Sequence, residues 1–157
     1  PDHAQPGDTT MRADLHNSIK ATRGISPVAA VTDNTAFVSQ ILDTANGGSA
    51  EFVGQFGAIA DADVTFTVLV EDGNDSGLSD NAAVADEHLL GVEAMVDGNG
   101  TALRYDADNK TFKVGYVGPK RYVRVTVTPA SNSGNIFLAG VWLQGHMRVG
   151  PQSTQVN

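Results

Sequence analysis

Apolar and polar residues alternate with a period of two along most of this chain, and that period limits its fold more than any other feature. The clearest run is VTFTVLVED at residues 64–72. Threonines occupy one face of this run, and the opposite face carries Val64, Phe66, Val68 and Val70. Successive side chains of a β-strand point to opposite faces, so the pattern predicts a strand with one buried face.

Five other segments have strand patterns, and Gly, Asn or Pro turn residues separate them. They are residues 35–43, 50–57, 111–118, 121–129 and 135–145. The last of these is apolar on both faces, which predicts a central strand rather than an edge strand. Valine outnumbers leucine about two to one, a ratio that suits pleated, half-buried surfaces better than helices.

Local structure is less clearly patterned in three places. Strict alternation over residues 35–43 places Phe37 and Leu42 on opposite faces of one strand. A turn of helix is expected over residues 82–84, after residues that suit an N-cap. Residues 92–105 fit either a short strand or a long loop.

No helical pattern alternates with the strands, which disfavours a parallel α/β sheet. The predicted fold class is therefore all-β: an antiparallel two-layer β-sandwich, for which a jelly roll is one suitable topology. We expect a polar N-terminal arm over residues 1–26, the sandwich domain over residues 27–150 and a C-terminal tail over residues 151–157.

The polar lead segment has two interpretations. It is either a frayed terminus or an arm that docks onto a neighbouring subunit. A short helix around residues 14–21 would place Leu15 and Ile19 on one face. In the docking interpretation, the interface residues of the arm are Leu15, His16, Ile19 and Arg23.

The formal net charge is −8 and the pI is near 4.7. Affinity for nucleic acid depends on clustered Lys and Arg residues. The densest basic cluster is Lys120, Arg121 and Arg124, and alternation along a strand divides it between two faces. We therefore expect no direct binding to nucleic acid. Within a DNA-filled particle, this acidity favours an exterior position.

The chain contains no cysteine, which excludes disulfides, thiolate metal sites and a cysteine nucleophile. No stretch approaches the ~20 apolar residues that span a bilayer, so we expect no membrane partner. The first 25 residues lack the apolar centre of a signal peptide. These features predict synthesis in the cytoplasm of a host cell.

The sequence lacks the usual motifs of catalysis and metal binding. The chain has four histidines, none at the spacing of a metal site. They are His3, His16, His88 and His146. Residues 72–77 resemble the start of an EF-hand loop, but the twelfth position is Ala83 rather than a bidentate glutamate. A plain loop is expected there, with a loose surface calcium site as the alternative.

A nucleophile elbow of the GxSxG type is also missing. We therefore predict no catalytic, cofactor-binding or metal-binding residues, and no enzymatic activity.

Aromatic residues raise a different possibility, because carbohydrate-binding sandwiches stack sugars on exposed rings. Trp142 lies on a strand that is expected to be buried, which favours a core role. Tyr105, Tyr116 and Tyr122 are the candidates for surface positions. A carbohydrate-binding module for host attachment is thus an alternative function.

Three segments resemble a family of small structural proteins that tailed bacteriophages and prophages encode close to their head genes. They are residues 15–57, 70–91 and 112–129. The features in common are an isoleucine-Asp-Thr element, matched by residues 41–44, an acidic ED-(S/N)D loop, and a GY-x-G-x-x-RYVR element, matched by residues 115–124. The likeness extends over about residues 15–146.

This resemblance implies a component of a virion, with a decoration or cement protein on the capsid exterior as the first expectation. Its partners would be the major capsid protein and further copies of itself, in a homotrimer. A tail or neck subunit is the alternative within the particle. The family has no known catalytic motif, so the resemblance implies no catalytic residue.

Overall fold

The computed structural model describes residues 14–95 and 102–156. They form two antiparallel sheets packed face to face, which confirms the all-β class. The strands are β1 Lys20–Ile25, β2 Phe37–Val38, β3 Leu42–Asp43, β4 Ser49–Ile59, β5 Thr65–Gly73, β6 Ala82–Ala83, β7 Leu89–Leu90, β8 Thr111–Tyr116, β9 Tyr122–Ala130 and β10 Ile136–Gly145. Short 3-10 turns occur at Asp86–His88 and Tyr105–Ala107.

The front sheet has the strand order β1-β10-β4-β8-β7, and the back sheet has the order β2-β9-β5-β6. Strand β3 also pairs with β9, beside β2. Strand β10 therefore lies between β1 and β4. The prediction of a central strand at this position is confirmed.

The core fills the space between the two sheets. The predicted alternation is observed on β9, where Val123, Val125 and Val127 are each 0% exposed. Phe56 of the front sheet contacts Phe66 of the back sheet, with ring centroids 4.6 Å apart. Such aromatic contacts add to the apolar burial that holds the layers together.

Two glycines on neighbouring strands allow large rings to enter the core. Gly54 on β4 and Gly140 on β10 are directly opposite each other in register. A Cβ atom at Gly54 would overlap the Phe112 ring, and one at Gly140 would overlap the Phe52 ring. The missing side chains let both rings lie directly over the backbone.

The strand predicted over residues 35–43 is two short strands instead, β2 and β3. Between them, the Ser39 N–H donates to the Val125 carbonyl at 2.8 Å, and the Val125 N–H donates to Ser39 Oγ at 2.9 Å. A side-chain oxygen thus takes the place of a backbone carbonyl and interrupts the ladder. Phe37 and Leu42 are both buried, so placing them on opposite faces was wrong.

The predicted helix at residues 14–21 and the predicted end of the arm at residue 26 are also wrong. Asp14 Oδ1 accepts the Asn17 N–H at 3.1 Å, which closes a turn over residues 16–18. Strand β1 then begins at Lys20 and pairs with β10. Backbone pairing along β10 satisfies more groups than one turn of helix would. Residues 1–13 of the predicted arm lie outside the described residues.

The predicted helical turn over residues 82–84 is wrong as well. Ala82 and Ala83 form β6, which pairs with the end of β5. The prediction for residues 92–105 falls in part on residues 96–101, which lie outside the described part of the chain. In the predicted C-terminal tail, the backbone N–H of Gln152 donates to the Asn17 carbonyl at 2.9 Å.

Candidate interaction surface

The outward face of the front sheet carries an exposed apolar surface. The alternation along β10 that buries Trp142 turns Phe137 and Val141 outward, where they are 38% and 42% exposed. Val53, the partner of Val141 on β4, is half-buried, and Leu90, at the far edge of the sheet on β7, is 57% exposed. We name the set the apolar strip: Val53, Leu90, Phe137, Val141 and Leu143.

One row across this face has a cation at each end. Strand register places Arg23, Val141, Val53 and Lys113 side by side, on β1, β10, β4 and β8 in that order. Neighbouring strands lie ~4.8 Å apart, so the two cationic positions are separated by about 14 Å along the row. Val141 and Val53 of the apolar strip are therefore flanked by positive charge on both sides.

Glu51 is the acidic residue beside this row. It pairs with Leu143 on one side and with Gly115 on the other. A Cβ at Gly115 would collide with both the Glu51 carboxylate and Leu90, so the glycine lets those two side chains meet. Burial raises the pKa of the Glu51 carboxyl above its ordinary value, and the charge of Lys113 partly opposes that rise.

A shallow depression of about 290 Å³ continues the strip at one end, lined in part by Ile19, Leu90 and Leu143. Ser49 and His146 also line it, and Ser49 Oγ lies 3.0 Å from His146 Nδ1. Sequence patterns could not reveal this pair, because the two residues are 97 positions apart. Within residues 14–95 and 102–156, no carboxylate bonds to the His146 ring, so no catalytic triad is formed.

The four residues predicted for the interface arm divide into two groups. Leu15 and Ile19 line one open depression of about 550 Å³ beside His146. His16 is exposed on the turn, outside that depression. Arg23 lies on β1 as part of the front sheet, at the end of the row described above. The structure thus places Arg23 on the sandwich and not on an arm.

The segments that carry the phage-protein resemblance contact one another directly. Arg121 Nη2 lies 2.8 Å from Asp43 Oδ2, in an ion pair between the isoleucine-Asp-Thr element and the RYVR element. Arg124 Nη2 lies 2.8 Å from Glu71 Oε2, between RYVR and the acidic segment. Thr44 Oγ1 also donates to the Arg121 carbonyl at 2.8 Å. The shared residues therefore stabilise the back sheet.

Tyr116 belongs to the same junction and joins the two sheets. Its hydroxyl donates to Asp72 Oδ2 at 2.8 Å, and the Lys120 backbone N–H donates to that hydroxyl at 3.1 Å. Lys120 Nζ completes the cluster, 3.1 Å from Asp72 Oδ1. Burial, with Asp72 beside it, raises the pKa of Tyr116 far above its ordinary value. The expectation that Tyr116 is a surface residue is wrong.

The other aromatic residues considered for sugar binding are Trp142, Tyr105 and Tyr122. Trp142 is 1% exposed and donates its indole N–H to the Gln40 carbonyl at 3.1 Å, so it has the predicted core role. Tyr105 is 43% exposed, and the Arg104 guanidinium lies 5.4 Å from its ring centre. Tyr122 is half-buried, with Arg121 at 5.1 Å.

The loop at residues 72–77 is held by its own backbone. Asp80 accepts the N–H groups of Asn74 and Asp75 at 2.8 and 3.1 Å. Asp75 accepts those of Gly77 and Ser79 at 2.9 and 3.2 Å. These backbone donors lower the pKa of both carboxyls. Across the described residues, no group of three His, Asp or Glu side chains is arranged to hold a metal ion.

Comparisons with known proteins give no family for this chain. No protein-family model matches it, and no curated protein matches it significantly. One similar solved structure is that of a family GH115 4-O-methyl-α-glucuronidase with specificity for decorated arabinogalactans. The sequence identity is 16% and the TM-score 0.38, over 90% of this chain and 19% of that enzyme. Among the described residues, no helix is long and apolar enough to cross a membrane.

Proposed function

We propose that this chain is a structural protein of a tailed-phage particle, which decorates the capsid exterior and reinforces its lattice. Its partners are the major capsid protein and further copies of itself. The proposal begins from the resemblance over residues 15–146, whose most specific part is GYVGPKRYVR at residues 115–124. The contacts between the three resembling segments give a physical reason for their occurring together, since each completes an ion pair of another.

The observation that carries the proposal is the apolar strip. Isolated apolar side chains are common on protein surfaces, but several exposed on one face of a sheet are typical of contact surfaces. Phe137 and Val141 project from β10, which lies between β1 and β4 and pairs continuously with β4 from Leu138 to Gly145. A rigid face of this kind suits a protein that binds one repeated lattice site many times.

The acidity of the chain supports an exterior position. Packaged DNA would repel a protein of net charge −8. The basic residues 120, 121 and 124 are moreover neutralised by Asp72, Asp43 and Glu71 respectively. Such a protein has no accessible basic cluster in this region with which to hold DNA.

The direct test is to assemble heads from the capsid genes of the phage or prophage that encodes this chain, with and without its gene. Electron microscopy of both preparations should show added density at three-fold or quasi-three-fold positions on the outer surface. Density on the tail axis would instead favour the tail or neck alternative. Identical particles in the two preparations would refute the proposal.

A further inference from the structure

We infer that the outward face of the front sheet is the docking surface of this protein, and that its occupant is a protein surface with an apolar centre and two flanking carboxylates. This inference rests on the proposed function and adds which face is used and what chemistry it recognises. The centre of the face is the apolar strip, and its flanks are Arg23 and Lys113.

The two flanking cations are available for a partner. Arg23 and Lys113 form no ion pair within 4.0 Å inside the described part of the chain. By contrast, the cations at 120, 121 and 124 each have an acidic partner. In the described residues neither cation forms an ion pair, although the Glu51 carboxyl lies near enough to Lys113 to interact with its charge. Two cations thus lie beside the exposed apolar residues, an arrangement that attracts a surface of opposite charge.

The spacing of these cations makes the recognition specific. Three strand spacings separate Arg23 from Lys113, or about 14 Å, with Val141 and Val53 between them. A complementary surface therefore has apolar side chains at its centre and a carboxylate about 7 Å to either side. Apolar contact supplies the affinity, and the two charge pairs set the orientation.

A second copy of this chain is a poor occupant of the same face. When two copies meet face to face about a two-fold axis centred on the row, Arg23 lies over either Arg23 or Lys113 of the other copy. Each arrangement brings cations together, which is unfavourable in a desolvated interface. The charge pattern therefore selects a different protein, the acidic surface of a lattice subunit.

The test uses heads assembled without this protein, to which the purified full chain is added back. Val141→Asp inserts an unpaired carboxylate at the centre of the face, and binding should weaken by roughly two orders of magnitude. The double substitution Arg23→Glu and Lys113→Glu should weaken binding by about tenfold or more, with the loss largest at low salt. The matched control is Thr67→Asp, which places the same new charge on an exposed position of the back sheet.

Each outcome is informative. If all variants, confirmed as folded by circular dichroism, bind as the wild-type chain does, the assignment of the face is overturned and the proposed function stands. If Thr67→Asp weakens binding as much as Val141→Asp, the face is likewise overturned. If the wild-type chain binds no head at all, both proposals fail. Sedimentation that shows a wild-type dimer dissociated by Val141→Asp would identify a second copy as the occupant and overturn the inference.

Discussion

Tyr116 contacts both layers of the sandwich through a single hydroxyl group. It belongs to the front sheet, and its hydroxyl donates to Asp72 of the back sheet and also accepts the Lys120 backbone N–H. Removing the hydroxyl leaves Asp72 and the Lys120 backbone without one partner each. A buried polar group that loses its partner costs roughly 1–3 kcal/mol.

We therefore expect Tyr116→Phe to lower the free energy of unfolding by about 1–3 kcal/mol, measured by urea denaturation. The matched control is Tyr122→Phe, since Tyr122 is half-buried on the outward side of β9. This control should change stability by less than about 0.5 kcal/mol. Equal effects of the two substitutions would contradict the structural role given to the Tyr116 hydroxyl.

Glu51 provides a prediction of pH dependence. Its pKa is raised in the folded protein, chiefly by burial, so the folded state holds a proton that the unfolded state releases. Stability from this group is therefore greatest at low pH and falls as the pH rises through the raised pKa. Glu51→Gln removes the charged form altogether.

The expected result is that Glu51→Gln is more stable than the wild-type chain at pH 7. The difference should shrink as the pH falls from above the raised pKa towards the ordinary pKa of a glutamate, below which the wild-type carboxyl is protonated in both states. Thermal melts of both proteins between pH 4 and pH 7 would measure it. A difference that is constant over this range would show that burial of the charge is not the cause.

Strand β1 is the element on which the domain boundary depends. Its residues pair with β10 from Lys20↔Gln144 to Ile25↔Gly140, although the sequence placed them in an arm. The sequence KATRGI of β1 is largely polar because one face of the strand is directed outward, beside the apolar strip. Its composition therefore does not indicate a strand. Neither propensity nor periodicity over six residues can distinguish an edge strand from an extended arm.

Deleting residues 1–25 should therefore lower the melting temperature markedly more than deleting residues 1–13, because only the longer deletion removes β1. The longer deletion exposes the unpaired edge of β10, the strand that carries Trp142, and should promote aggregation. Calorimetry together with light scattering would measure both effects. A longer deletion that melts as the full chain does would restore the boundary at residue 26.

The paired glycines of β4 and β10, Gly54 and Gly140, allow aromatic rings to pack against the backbone. Hydrophobic periodicity does not reveal this close packing. A methyl group at Gly54 meets the Phe112 ring, while one at Gly150 meets nothing within 4 Å. We expect Gly54→Ala to destabilise the fold by about 1–3 kcal/mol through overpacking. Gly150→Ala is the control and should be near neutral in the same denaturation assay. Comparable losses at both positions would argue against close packing at Gly54.

Strong alternation was a reliable guide where one face is fully buried. Strands β5, β8, β9 and β10 lie close to their predicted positions. The failures occur where a side chain replaces a backbone partner, as at Ser39, where a strand has only two residues, as in β6, or where a strand is largely polar, as in β1. The apolar strip was partly visible in advance, since residues 135–145 are apolar on both faces. The flanking cations were not, because register between strands joins residues far apart in sequence.

The whole molecule is acidic, and its basic residues are unevenly engaged. The cations at 120, 121 and 124 are neutralised by internal ion pairs. They therefore do little to offset the repulsion between a chain of net charge −8 and the phosphates of DNA. We expect no binding of a fluorescent DNA duplex at low salt, measured by anisotropy with the chain at tens of micromolar. Salt-sensitive binding would contradict the exterior position proposed for this protein.

The position of β10 also has a consequence for how the protein is made. In the front sheet β1 and β4 lie on either side of β10, and β10 ends at Gly145. While the chain emerges from a ribosome, β1 and β4 have no shared neighbour until β10 has been synthesised. Strand pairing over such long sequence separations is slow. The nascent chain must therefore remain unaggregated with incomplete sheets, and the front sheet can close only after β10 has left the ribosome.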